Sequence, residues 1–112
     1  MTSDGSFELT LDDLPEGGAV VRVDGELDLA TAPDLEELLA RVDLGERLVV
    51  DLSLCTFLDS SALRILISTI TQARERGGEV SLVAPEPGIA RVLEIASVNT
   101  MADVHPTLDA AI

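Results

Sequence analysis

The segment Cys55-Thr56-Phe57-Leu58-Asp59-Ser60-Ser61-Ala62-Leu63 lies between an apolar run and a long amphipathic stretch. The run Leu48-Val49-Val50-Asp51-Leu52 is largely apolar and predicts a strand covered on both faces. The stretch that starts near Ser61 has the apolar spacing of a helix. Asp59 and Ser60 therefore stand at a strand-to-helix junction. Free N–H groups and the helix dipole stabilise anionic oxygen there, so the junction favours either a helix cap or a phosphorylatable switch.

The predicted helix after the junction runs from about Ser61 to Arg76 and has one apolar and one polar face. Its core stripe consists of four apolar residues, namely Leu63, Leu66, Ile67 and Ile70. The opposite line is polar and consists of Arg64, Ser68, Thr71 and Glu75. Ile65 lies at the boundary of the two faces, so it is either a contact for a partner or a widening of the core stripe.

Strand and helix patterns alternate along the rest of the chain. Before the junction they predict an antiparallel hairpin of strands over 7–11 and 19–23, followed by a helix that Thr31 caps. After it they predict a strand over 80–84, a helix over 89–96, a weak strand over 101–104 and a terminal helix over 106–112. The sequence thus predicts an α/β fold with a mixed sheet of about five strands, antiparallel in the hairpin and largely parallel elsewhere, packed with about four helices. Its length fits a single domain over 1–112.

The charge of the chain is strongly one-sided, with 21 acidic against 7 basic residues and a formal net charge of −14. All the basic residues are arginines, and lysine is absent. A field of this sign repels phosphate backbones, so direct nucleic-acid binding is not expected and a protein partner with a basic face is favoured. The missing lysine also excludes enzymes that need a P-loop lysine, a Schiff base or an amine nucleophile.

Other features narrow the class of protein further. The sequence contains no uncharged apolar run that is long enough to span a membrane. Residues 1–5 lack the basic and apolar regions of a signal peptide, so a cytoplasmic protein is expected. The single Cys55 excludes an internal disulfide and a cysteine-pair metal site. The only histidine is distant from the serines, and neither a nucleophile elbow nor a Gly-rich phosphate loop is present. We therefore expect neither catalysis nor a bound cofactor or metal.

Asp51, at the end of the predicted central strand, allows one rival interpretation, a phospho-aspartate receiver domain. A receiver would need an acidic pair after the first strand and a lysine late in the chain. Asp12-Asp13 could be mistaken for the pair, but the lysine is missing. The receiver is therefore the weaker interpretation.

Three segments of the chain carry a family resemblance. The first is Gly25-Glu26-Leu27-Asp28, which precedes a capped helix. The second is Val49-Val50-Asp51-Leu52-Ser53, which leads into Asp59-Ser60-Ser61, and the third is Arg76-Gly77-Gly78-Glu79-Val80. Together they resemble the STAS domain (sulfate transporter and anti-sigma factor antagonist) family, specifically its stand-alone bacterial anti-sigma factor antagonists. Element order and length agree as well, so the resemblance covers nearly the whole chain.

The resemblance implies a phosphorylation site and a set of partner contacts. Ser60, the first serine after the junction aspartate, matches the family's phosphorylation site. In such proteins the unphosphorylated antagonist binds an anti-sigma factor that is also a serine kinase, and a sigma factor is released. Phosphorylation by the kinase abolishes this binding, and a serine phosphatase restores it. The expected partner-binding residues are Asp28, Asp59, Ser61, Ala62 and Ile65.

Two of these positions have a further aspect. Asp28 matches a family position near the kinase contact, although its residue type alone predicts a turn or a cap. Ala62 stands where the family usually has Gly, and Ala predicts a tighter start of the helix. The same fold would also serve as a STAS subunit of a transporter complex or of a stressosome-like signalling assembly.

Overall fold

An antiparallel hairpin opens the sheet. A computed structural model describes residues 7–112 and places strand β1 over Phe7–Asp13 and strand β2 over Ala19–Leu27. The two strands pair from Phe7 opposite Gly25 to Asp13 opposite Ala19. The prediction about a signal peptide concerned residues 1–5, which lie outside the described range.

The other strands are all parallel to β2, and the sheet has the order β1-β2-β3-β4-β5. They are β3 (Arg47–Leu58), β4 (Glu79–Val83) and β5 (Asp103–His105). The helices are α1 (Ala32–Leu39), α2 (Ser60–Glu75), α3 (Pro87–Ile95) and α4 (Leu108–Ala111), with a short 3₁₀ turn over Val98–Thr100. The predicted α/β class, the mixed sheet and the four helices are confirmed.

Helices cover both faces of the sheet unequally. Each parallel connection steps to the next strand in the same direction, so right-handed crossovers place α1, α2 and α3 on one face. Their buried residues, such as Leu35, Leu66 and Leu93, pack on one set of strand side chains in the main core cluster. The opposite face holds a smaller cluster, in which Val49 lies near Ala111 of the short helix α4.

Strand β3 is longer than predicted. The sequence predicted its end at Leu52, but the strand continues for six residues to Leu58 and so includes the first part of the junction segment. Its pairing with β2 shifts register twice, and each shift places an extra residue on β3. The buried positions in this part are Leu52, Cys55 and Leu58, a spacing of three that differs from the usual alternation.

Helix α2 is also rotated relative to the prediction. Ala62 and Ala73 are buried beside Leu66, whereas Leu63 and Ile67 are only half-buried. The predicted polar line is exposed throughout. Small residues on the inner side let the helix approach the sheet closely, which moves the centre of the buried stripe away from the largest side chains.

Candidate docking site at the start of helix α2

The candidate site lies at one edge of the sheet, where β2 and β3 end side by side. The loop after β2 contains Asp28 and leads into α1, while the junction after β3 contains Asp59 and leads into α2. The backbone N–H of Asp59 donates to the carbonyl of Leu27 at 3.3 Å, which joins the two connections. Because these strands are parallel neighbours, residues 31 positions apart meet at one corner of the molecule.

Asp59 is the residue that holds this corner together. Its Oδ1 accepts hydrogen bonds from the backbone N–H groups of Ser61 at 2.9 Å and Ala62 at 3.2 Å, so its side chain caps helix α2. Its Oδ2 accepts from the backbone N–H of Leu29 at 3.1 Å. One carboxylate therefore fixes the start of the helix and ties the neighbouring loop to it.

Asp28 is used inside its own loop. Its Oδ1 accepts from the backbone N–H groups of Ala30 at 3.0 Å and Thr31 at 3.1 Å, which makes a tight turn. The Thr31 hydroxyl accepts from the N–H of Asp28 at 2.9 Å and donates to the carbonyl of Glu26 at 2.8 Å. Thr31 occupies the cap position of α1 but bonds no N–H of that helix, so the prediction of a Thr31 cap was wrong in its chemistry.

The two serines differ in accessibility. Ser60 is the first residue of α2 and is exposed, and its hydroxyl makes no hydrogen bond to any other residue in the range 7–112. Ser61 is half-buried and donates its backbone N–H to Asp59. Neither serine side chain caps the helix, because Asp59 already does so. The hydroxyl of Ser60 is therefore available for chemistry at the surface.

Ala62 is not a surface residue. Its exposed fraction is 0%, and its methyl group is part of the main core cluster. We correct the expectation that its side chain contacts a partner, since no partner reaches it in this fold. The position instead shows that the core accommodates a Cβ where the family usually has Gly.

Leu29 belongs to the site although the sequence analysis did not select it. It lies next to Asp28 and is 75% exposed, the highest value among the large apolar side chains of residues 7–112. Together with Pro33, Ser61 and Ile65 it lines a cavity of about 220 Å³ between the starts of α1 and α2. The charged side chains of Glu36 and Arg64 also line this cavity, so its lining is mixed. An exposed leucine beside such a cavity is a feature that can anchor a protein partner.

A comparison with protein families identifies the fold. The model of the STAS domain matches residues 12–111, which is nearly all of the chain. The chain belongs to the STAS domain family. The three segments on which the resemblance was based all lie within this match.

Individual STAS proteins agree with this result. A Bordetella bronchiseptica protein described as the anti-sigma factor antagonist BtrV is 34% identical over 107 residues, which cover 94% of this chain and 91% of that protein. The crystal structure of an anti-sigma factor antagonist from Mycobacterium paratuberculosis superposes with a TM-score of 0.84 at 32% identity and covers 99% of this chain and 95% of the other. Both names describe antagonists of anti-sigma factors.

A more distant STAS structure shares the fold. The Bacillus cell fate determinant SpoIIAA in its phosphorylated form superposes with a TM-score of 0.71 at 16% identity and covers 92% of this chain and 96% of the other. The unphosphorylated form of SpoIIAA superposes with a TM-score of 0.75, also at 16% identity. At this identity the likeness concerns the fold alone.

The environment of Asp51 argues against the receiver interpretation. Its carboxylate is 3% exposed and lies in the middle of β3, six residues or more from the edge where the loops meet. Oδ2 pairs with Nε of Arg22 at 3.2 Å, and Oδ1 accepts from the N–H of Ser53 at 2.9 Å. A receiver aspartate has to be open to a phosphodonor, and Asp51 is buried and paired.

The described residues contain neither a metal-binding cluster nor a membrane-spanning helix. Within residues 7–112, no group of three or more His, Cys, Asp or Glu side chains is arranged to hold a metal ion. No helix in the described part of the chain is long and apolar enough to cross a bilayer. Cys55 is buried, its thiol donates to the carbonyl of Phe57 at 3.2 Å, and burial raises the pKa of this thiol.

Proposed function

We propose that this STAS protein is an anti-sigma factor antagonist whose unphosphorylated form binds an anti-sigma factor and thereby releases a sigma factor. The observation that carries the proposal is the exposed Ser60 at the Asp59 corner, in a chain whose relatives have this function in their names. We further propose that the anti-sigma factor is a serine kinase acting on Ser60, and that a serine phosphatase reverses the reaction. Such a partner would place the protein in the cytoplasm, where transcription takes place.

The docking surface in this proposal is the corner around Ser60. Leu29 and Ile65 supply apolar contacts, with Leu29 the larger because Ile65 is half-buried. Asp28 and Asp59 supply negative charge, and the −14 net charge favours a partner with a basic face. Asp59 also acts indirectly, because it fixes the backbone of Leu29 and therefore the position of the leucine side chain.

Phosphorylation would block this surface by charge. A phosphate on Ser60 adds roughly −1.5 to −2 charges at neutral pH. Helix N–H groups usually stabilise such a charge, but Asp59 already accepts from the N–H groups of Ser61 and Ala62. The new charge would therefore face the partner beside existing carboxylates, so repulsion and steric block rather than refolding would end the binding.

The test is phosphorylation by an anti-sigma factor kinase from the same organism. The intact mass of the protein is measured after incubation with ATP and the kinase, and the modified residue is mapped. We expect one phosphate on the wild type, one on Ser61→Ala and none on Ser60→Ala. Phosphate on Ser61 instead of Ser60 would show that the acceptor is misassigned. A wild type that binds the kinase without taking up phosphate would contradict regulation at this serine.

A further inference from the structure

The end of β3 projects beyond its neighbour β4. Pairing between the two strands ends at Asp51 opposite Val83, while β3 continues to Leu58. Over residues 53–58, β3 pairs only with β2, and no other backbone hydrogen bond in the described range reaches this side of the strand. The N–H of Ser53 donates to Oδ1 of Asp51 and the carbonyl of Phe57 accepts from the Cys55 thiol, so these two groups are already bonded within the chain. The backbone groups of β3 that have no partner on this side form a site for the addition of another strand.

Two large apolar side chains lie on this projecting end. Leu54 is 50% exposed and Phe57 is 47% exposed, and neither belongs to a core cluster of the described residues. The two register shifts cause this exposure, because they direct Cys55 and Leu58 into the core and leave Leu54 and Phe57 outside. Phe57 is one of only two aromatic residues in the chain.

Acidic residues flank both apolar side chains. In the register of the sheet Leu54 is the partner of Asp24, and Phe57 is the partner of Glu26. Asp24 in turn is paired with Glu8 on β1. The nearest arginine on β2, Arg22, is engaged with Asp51. A second copy of this chain would bring the same negative charge to the patch, whereas a basic segment would be attracted to it.

We propose that residues 53–58 form a second docking edge, which accepts an extended segment of a partner protein with apolar side chains between basic ones. The segment would pair with the open side of β3 and present an apolar side chain and the basic side chains two residues away on one face, because Leu54 and Phe57 share that face with their register partners Asp24 and Glu26. The apolar side chain would contact Leu54 and Phe57, and the long basic side chains would reach toward Asp24 and Glu26. This edge does not use Ser60, so its binding would be insensitive to the charge at position 60.

The test uses a synthetic peptide, Thr-Arg-Thr-Val-Thr-Arg-Thr, with blocked ends and a fluorescent label, in which the valine and both arginines share one face of an extended strand. We expect fluorescence anisotropy to show binding, and NMR of the ¹⁵N-labelled chain to show amide shifts confined to 53–58 and 24–26. The double variant Leu54→Ser/Phe57→Ser should weaken binding at least tenfold, and Ser60→Asp should leave it unchanged. Both serines replace exposed side chains, so the fold should persist.

Three controls separate this edge from attraction by charge alone. Ile95→Ser removes an even more exposed apolar residue, which lies on α3, and should not change the affinity. A peptide with Glu in place of Arg, and one with Pro in place of the central Val, should not bind. The proposal would be overturned if Ile95→Ser lowered the affinity as much as the double variant does. It would also be overturned if the amide shifts were spread over the whole acidic surface. Dimerisation in sedimentation velocity that the double variant abolishes would also overturn it, because the occupant would then be a second copy.

Discussion

The two ends of the parallel strands are held together in different ways. At the end where the strands begin, glycines allow backbone to meet backbone. A Cβ on Gly18 would collide with the carbonyl of Arg47, and one on Gly78 would collide with the carbonyl of Leu44. At the end where the strands finish, the side chains of Asp28 and Asp59 hold the loops through hydrogen bonds.

This difference separates structure from function in the molecule. At the end where the strands begin, backbone atoms are in direct contact, so the glycines there cannot be replaced by larger residues. This glycine end therefore specifies the fold. Hydrogen bonds from backbone N–H groups to the carboxylates of Asp28 and Asp59 fix the other end with few atoms, and the neighbouring side chains of Leu29 and Ser60 remain at the surface. The candidate docking site lies at the end where side chains can vary without loss of the fold.

The largest effect on stability is expected at the glycine end. Gly18→Ala places a Cβ against the carbonyl of Arg47 at a φ of +104°, so it combines strain with overpacking. We expect it to lower the free energy of unfolding by about 3 kcal/mol. Gly77→Ala is the matched control, because Gly77 also has a positive φ, +80°, but has open space around it. It should cost about 1 kcal/mol, measured for both variants by urea unfolding.

An equal loss in the free energy of unfolding for the two glycine variants would contradict this difference between the two ends. It would mean that backbone conformation alone, and not the close approach of Gly18 to Arg47, makes this end intolerant. In that case the two ends of the sheet would differ only in how much stability a substitution costs, and not in the type of contact that holds them.

An intermediate effect is expected from Asp59. Asp59→Ala removes the cap of α2 and the bond to Leu29, and should cost about 1–2 kcal/mol in the free energy of unfolding. Asp59→Asn keeps one oxygen for the N–H groups of Ser61 and Ala62, because Asn is an equally good cap. It cannot accept from Leu29 at the same time, since the amide NH₂ occupies that side.

Hydrogen exchange distinguishes the two roles of Asp59. In Asp59→Asn the amide of Leu29 should exchange faster, whereas the amides of Ser61 and Ala62 should stay protected. Unchanged exchange at Leu29 would show that the loop is held by other contacts, and that Asp59 is only a helix cap.

The smallest effect on stability is expected from Leu29. Its side chain is exposed, so Leu29→Ser should change the free energy of unfolding by no more than about 0.5 kcal/mol. If Leu29 anchors the partner, the same variant should weaken binding by about 2 kcal/mol, or roughly thirtyfold in Kd. Calorimetry with the anti-sigma factor measures this, with Ile95→Ser as an exposed apolar control. Unchanged affinity for Leu29→Ser would place the docking surface elsewhere.

The sequence was sufficient for the fold but not for the end of β3. Alternation and apolar runs predicted the order of all five strands and four helices, because each element has a buried face of regular period. Beyond Leu52 the buried positions of β3 recur every three residues, because each register shift adds one residue to the strand. The local sequence pattern does not indicate these extra residues. That is why Cys55, Phe57 and Leu58 were not assigned to the strand.

The sequence predicted which residues lie at the candidate site, but not the hydrogen bonds that these residues make. Asp59, Ser60 and Ser61 do lie at a strand-to-helix junction, but the sequence alone did not decide which of them caps the helix. The bond from Leu29 to Asp59 joins residues 30 positions apart, and only the sheet topology brings them together. Leu29 continues the period of the buried Val21, Val23 and Leu27 in β2, so the apolar pattern predicts a buried residue and its exposure follows only from the loop after the strand.

The most direct test of the phospho-switch compares two aspartate variants that have the same net charge. Ser60→Asp and Thr71→Asp are titrated against the anti-sigma factor by calorimetry, beside Ser60→Ala. We predict that Ser60→Asp binds at least about tenfold more weakly than the wild type, whereas Thr71→Asp and Ser60→Ala bind like the wild type. Equal affinity for Ser60→Asp and Ser60→Ala would contradict the proposal that charge at Ser60 controls docking.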